Sequence, residues 1–146
     1  MITIRVSAAP FDIGREILAL GGDGIGAVAS FLGIVRGDND LIALTLEHYP
    51  AMTESALRAL ADEAEQRWGL GDVMLYHRVG RLTPGDPIVL VVCASAHRRD
   101  ALEACAFLID RLKTDAPFWK RESFADGRET WVEARQSDDA AAARWG

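Results

Sequence analysis

The stretch Val73-Met-Leu-Tyr-His-Arg-Val-Gly-Arg-Leu-Thr-Pro-Gly-Asp-Pro-Ile-Val-Leu-Val-Val-Cys-Ala-Ser-Ala96 decides how the chain is read. Two apolar runs flank Thr83-Pro84-Gly85-Asp86, where Pro and Gly stand at turn-favouring positions. The first run, Val73–Leu82, reads as one strand. The second, Pro87–Ala96, is almost continuously apolar, as suits an inner strand buried on both faces. From Arg98 to Thr114 the period changes. Leu102, Cys105, Ile109 and Leu112 recur at helical spacing, and Pro117 disfavours helix at Ala116 and closes the segment. Two strands joined by a tight turn and followed by a long helix form the building unit.

The same unit stands upstream. Ala27–Val35 and Leu41–Tyr49 read as strands, the second placing Ile42, Leu44, Leu46 and His48 on one face by the two-residue period. Pro50 opens a helix that runs to Trp68 on an apolar stripe of Leu57, Leu60, Ala61, Ala64 and Trp68, and Gly69 and Gly71 end it. A strand at Ile2–Val6 and a short helix at Asp12–Leu20 come first. Phe118–Phe124 and Thr130–Ala134 close the chain as a hairpin around Asp126-Gly127. The order βα, ββα, ββα, ββ lacks the strict alternation of a doubly wound fold. It predicts an α+β architecture with two long helices on a mixed or largely antiparallel sheet. No repeat or linker interrupts it, so residues 1–146 read as a single domain, with 136–146 as a short helix or as a flexible or docking tail.

Composition narrows the function. Of 146 residues 49% are hydrophobic, enough for one filled core, and 16 basic against 22 acidic side chains leave a formal charge of −6. That balance argues against a general nucleic-acid binder, which needs a positive field. No run of about 18 apolar residues is present, so no membrane span is expected. The opening Met-Ile-Thr-Ile-Arg-Val lacks a basic segment followed by an apolar one, so a cytoplasmic location is expected. Cys93 and Cys105 stand twelve apart in apolar surroundings, outside any metal or redox spacing, and read as small core residues. Gly21-Gly-Asp-Gly-Ile-Gly26 follows a helix and opens a strand, the reverse of a dinucleotide fingerprint, and reads as a turn. Asp38-Asn39-Asp40 lacks the rest of a calcium loop and reads as a solvated turn.

The basic residues carry the chemical signal. Fourteen are Arg and only two, Lys113 and Lys120, are Lys. Arg is effectively always protonated, whereas a Lys whose pKa is lowered gives up a proton. Two lysines bracketing one turn, in a chain that otherwise uses Arg, favour a role that needs an amine over simple helix-dipole compensation. Lys120 alternates with Phe118 and Glu122 along its strand. His97-Arg98-Arg99 opens the second long helix, whose free N–H groups favour anions, so it reads as a phosphate or oxyanion site or else as a solvated charge run. Arg36, at a strand end, adds a further cation. His77 shares a strand face with Val73, Leu75 and Val79 and reads as a core or edge residue. The sum is a cationic pocket in an acidic protein, suited to a small phosphorylated or carboxylated substrate.

Leu44-Thr-Leu-Glu-His-Tyr-Pro-Ala-Met-Thr53, Ser95-Ala-His-Arg98, Leu112-Lys-Thr-Asp-Ala-Pro-Phe-Trp-Lys-Arg-Glu122 and Trp131-Val-Glu-Ala-Arg135 resemble the large, catalytic subunits of molybdopterin synthase, the MoaE family, over almost the whole chain. The resemblance implies an α/β hammerhead-type domain with an additional antiparallel sheet. It implies a sulfurtransferase that turns cyclic pyranopterin monophosphate into molybdopterin. The sulfur comes from the C-terminal thiocarboxylate of a small ubiquitin-like subunit. It also implies a homodimer, and a heterotetramer with that partner. Carried over by motif, Lys113 and Lys120 match the family's catalytic lysines, and His97, Arg98 and Arg36 its substrate-anion contacts. Arg121 and Glu122 fall in the same signature. No metal or cofactor is implied. Two other readings stand beside this one: a non-catalytic scaffold that grips a ubiquitin-like tail, and a phosphate-ligand binding protein.

Overall fold

The computed structural model describes residues 1–132 and 136–146, without the side chains of 136–138. Glu133, Ala134 and Arg135, expected in the last strand and in the closing motif, lie outside the described residues. The described elements are β1 (Ile2–Ser7), α1 (Ile13–Ala19), β2 (Ala27–Ile34), β3 (Leu41–His48), α2 (Pro50–Trp68), β4 (Asp72–Arg78), β5 (Gly80–Leu82), β6 (Pro87–Ser95), α3 (Arg98–Asp115), β7 (Phe118–Phe124), β8 (Glu129–Val132) and α4 (Gln136–Ala143). They build two four-stranded sheets, ordered β1-β4-β6-β2 and β5-β3-β7-β8. The first is mixed, because β1 runs parallel to β4 while the other neighbours are antiparallel. The second is antiparallel throughout. This is the expected α+β class.

In the first sheet β4 and β6 are inner strands, and their side chains alternate between two apolar layers. Val73, Leu75, Val91 and Cys93 face α2 and α3, where Leu57, Leu60, Phe107 and Leu108 meet them. Met74, Tyr76, Leu90 and Val92 face the other way, against Leu20 and the α1 side chains Ile13 and Ile17. The Gly69 amide donates to Glu65 with φ +60, so α2 stops where the sequence predicts. Among the described residues no helix is long and apolar enough to cross a membrane.

Three expectations are corrected. Val73–Leu82 is not one strand. The chain leaves the first sheet at Arg78, and Gly80, at φ +84, redirects it into the second sheet as β5. Apolar alternation runs through this bend, so only the glycine marks it. Leu102 is not on the α3 core stripe. It is 61% exposed, about 100° around the helix from buried Ala101, and the buried face is Ala101, Ala104, Cys105, Phe107, Leu108 and Leu112. Ile42 is not on the inner face with Leu44 and Leu46. A register shift between Leu41 and Ala43 turns it outward, and it is 45% exposed. The end of the chain packs on α3: the Trp145 indole N–H donates to Asp110 Oδ2 at 2.7 Å, and its ring lies 5.6 Å from Phe107.

Candidate active site

The two sheets meet beyond the C-terminal turn of α3, and a cavity of about 610 Å³ lies in the seam. That is the size of a small-molecule site. Lys113 enters from the last turn of α3, Lys120 and Glu122 from β7, and Arg36 from just past β2. Pro117 ends the helix, so the chain reverses within a few residues and carries both lysines to one place. β7 is an inner strand, with Lys120 in register with Leu46 on one side and Val132 on the other. A side chain on a strand paired along both edges is held more rigidly than one on a loop.

The two-residue period sorts the neighbours of Lys120. Phe118, Lys120 and Glu122 line the cavity. Trp119 and Arg121 point to the opposite face. Trp119 meets Tyr49 edge-on at 5.1 Å, and the Arg121 guanidinium sits 5.7 Å over the Trp131 ring. Lys120 and Glu122 therefore share the site, and Arg121 does not line it.

Arg36 lies at the mouth, exposed, 3.5 Å from Asp38. An ion pair this open contributes little to stability, so a stronger anion exchanges for Asp38 at small cost. The cavity thus gathers three cationic side chains, Lys113, Lys120 and Arg36, against two carboxylates, Asp38 and Glu122.

His97 and Arg98 stand elsewhere. His97 is the N-cap of α3 and Arg98 its first residue, and both are exposed. With about 1.5 Å of rise per residue, the helix separates Arg98 from Lys113 by roughly 22 Å. Within one chain these residues do not share a site.

His77, expected from the sequence as a core or edge residue, is also a cavity residue. It is buried, with 8% of its surface exposed, and it lines the cavity. Its ring stacks on Phe118 at 4.0 Å between centroids and 26° between planes. Nδ1–H donates to the Arg78 carbonyl at 2.7 Å. The face it shares with Val73 and Leu75 is apolar where the helices cover it. It turns polar where α3 has ended and β7 has come in, a junction that no local pattern reveals.

Burial pushes the His77 imidazole down from its ordinary 6.5 to about 4. The bond to the Arg78 carbonyl opposes this, while the charges of Lys120 and Lys113, with His48, add to it. Below pH 6.5 the unfolded chain takes a proton that the folded chain refuses. Stability contributed by this group is therefore intact above pH 6.5 and lost as pH falls to 4, by about 3 kcal/mol. Denaturant unfolding of the native chain and of His77→Phe at pH 7 and at pH 4 measures it. The gap between the two proteins should shift toward the variant by that amount at the lower pH, and an unchanged gap would contradict the shift.

Residues 6–115 match the family model described as "MoaE protein". The molybdopterin synthase catalytic subunit of Pseudomonas aeruginosa is 55% identical, with 99% of this chain and 99% of that protein covered. Among solved structures, the molybdopterin biosynthesis MoaE protein of Burkholderia ambifaria superposes with a TM-score of 0.87 at 52% identity, covering 100% of this chain and 99% of that one. A complex of subunits 1 and 2 of molybdopterin-converting factor from Helicobacter pylori shares the fold at a TM-score of 0.69 and 24% identity, over 92% of this chain and 91% of that one.

Proposed function

The chain belongs to the MoaE family, and from that premise we propose that the seam between its sheets is where sulfur is transferred to the pterin precursor of molybdopterin. The chain is the catalytic subunit of this synthase. The observation that carries the site is the meeting of both lysines of a lysine-poor chain in one cavity.

The sulfur donor is a thiocarboxylate at the C-terminal glycine of a small ubiquitin-like partner. It is an anion, and the ammonium groups of Lys113 and Lys120 attract and orient it through charge-assisted hydrogen bonds. Each of the two dithiolene sulfurs comes from its own carrier tail: the sulfur displaces an oxygen of cyclic pyranopterin monophosphate, and water then cleaves the acyl–sulfur bond and frees the tail as a carboxylate. The departing oxygens leave more readily as a proton reaches them, and a lysine lining the cavity is placed to give one. Arg36 takes an anionic group of the substrate in place of Asp38. Glu122 stands on the same strand face as Lys120 and lines the cavity beside it.

His97 and Arg98 serve the phosphate in this reading only from a second copy of the chain, since their own helix holds them away from Lys113. The homodimer implied by the family resemblance supplies that copy, each copy carries one small partner, and the reaction runs in the cytoplasm. Purified chain, thiocarboxylated partner and cyclic pyranopterin monophosphate should together yield molybdopterin. Binding without product would indicate a scaffold or a ligand sensor instead. Lys113→Ala and Arg98→Ala chains, each inactive alone, should regain turnover when mixed, because a mixed dimer keeps one site with both groups. Failure of mixing to restore any activity would remove His97 and Arg98 from the site.

A further inference from the structure

The cations of the cavity account for anionic parts of a substrate and leave one polar atom without a role. His77 commits Nδ1–H to the Arg78 carbonyl at 2.7 Å. That bond fixes the tautomer, so Nε2 carries the lone pair of a neutral imidazole. Among the described residues Nε2 has no hydrogen-bond partner, although His77 is only 8% exposed and lines the cavity. The stack on Phe118 sets the plane of the ring. An acceptor on a cavity-lining ring, oriented in advance and without a partner among the described residues, marks the place of a ligand's donor.

We propose that His77 Nε2 accepts a hydrogen bond from an N–H group of the pterin heterocycle and so orients the uncharged end of the substrate. The proposal rests on the sulfur-transfer reading above. A lone pair repels phosphate and thiocarboxylate, which the lysines and Arg36 attract, so the two kinds of group divide one cavity by chemistry. A reduced pterin offers several ring and exocyclic N–H donors. The low pKa of His77, due first to burial and then to Lys120, Lys113 and His48, keeps the acceptor unprotonated at neutral pH. A protonated ring there would donate at Nε2 and reject the same N–H. His77 is in this sense a specificity residue: it favours a substrate with a donor at that position over an equally charged phosphate without one.

The test uses the chain with its small partner. His77→Phe keeps the ring stack and removes both nitrogens. His77→Gln keeps an acceptor. Loss of the bond to a buried donor should raise KM for cyclic pyranopterin monophosphate about tenfold or more. The same variant should leave the affinity for inorganic phosphate unchanged, and His77→Gln should recover part of the loss. With histidine labelled with nitrogen-15, the Nε2 resonance of His77 in the native chain should move on adding the pterin and stay put on adding inorganic phosphate. This reading stands even if His77→Phe folds poorly. Pterin KM in a folded His77→Phe within twofold of native would overturn the proposal. So would an Nε2 resonance that ignores the pterin but shifts in Lys120→Met, since the lysine would then be its partner. Either result leaves the sulfur-transfer reading intact as long as the native enzyme makes molybdopterin. A native enzyme that makes none would overturn both.

Discussion

Lys113→Ala should lower turnover by about a hundredfold or more, the usual loss when a positioned proton donor is removed, while the fold survives. The side chain is exposed at the end of α3. Its structural contribution there is a dipole interaction of about 0.3–1 kcal/mol. Turnover at saturating substrate, thermal unfolding and partner binding separate the two effects. Lys113→Arg refines the result. It keeps the charge but does not give up its proton, so activity in this variant would show that charge alone is needed, and silence would show that the amine is. Lys120→Ala should be equally inactive, through a side chain on an inner strand rather than a helix end. Near-native turnover in Lys113→Ala would remove it from the mechanism.

The largest effect on stability should come from Phe107→Ala. The ring is fully buried between the indoles of Trp68 and Trp145, at 5.2 and 5.6 Å. The Arg67 and Arg111 guanidinium groups lie 4.9 and 5.4 Å from its centroid. Emptying that volume leaves three elements, α2, α3 and the chain's end, without their common filler. A cost of about 3–5 kcal/mol is expected for a buried aromatic truncated to Ala. Leu102→Ala on the same helix is the control, because its side chain is mostly in water and should change stability by no more than about 0.5 kcal/mol. Urea unfolding of the three proteins decides the matter, and comparable losses at the two positions would mean that the α3 face is wrongly placed.

That contrast shows where sequence patterns inform and where they fail. Leu102 and Phe107 are both large and apolar, and a stripe drawn through Leu102, Cys105, Ile109 and Leu112 is a legitimate helical spacing. The observed face is rotated from it, because alanines at 101 and 104 let α3 approach the sheet closely. Small residues carry little signal in a hydrophobicity pattern. The α2 limits, the inner strand β6 and the Asp126-Gly127 hairpin were legible because caps, turn residues and continuous apolar runs act locally. The passage of the chain from one sheet to the other at Gly80 was not, since it leaves the alternation of side chains undisturbed.

The site divides the same way. Lys113 and Lys120 stood out by their scarcity, and Phe118 and Glu122 followed from the two-residue period. That period also excludes Arg121, which lies next to Lys120 on a strand and so cannot face the same side. The distance from Arg98 to Lys113 was implicit in a helix of known length, yet the shared positive charge suggested a single pocket. His77 had no local signal, because its surroundings are made by α3 ending and β7 arriving, both distant in sequence.

The two lysines sit on different layers, one at the end of a helix packed on the mixed sheet and one within the antiparallel sheet. Such a seam can part by local opening while each layer keeps its own hydrogen bonds, at less free energy than global unfolding requires. Resistance to heat and readiness for catalysis are then separate properties of this molecule, governed by different substitutions. A variant loosened only where β7 meets the mixed sheet would melt like the native chain and yet spend part of its time with its amines apart. Screening by melting temperature would pass it as intact, and a fall in turnover with no fall in melting temperature would expose it.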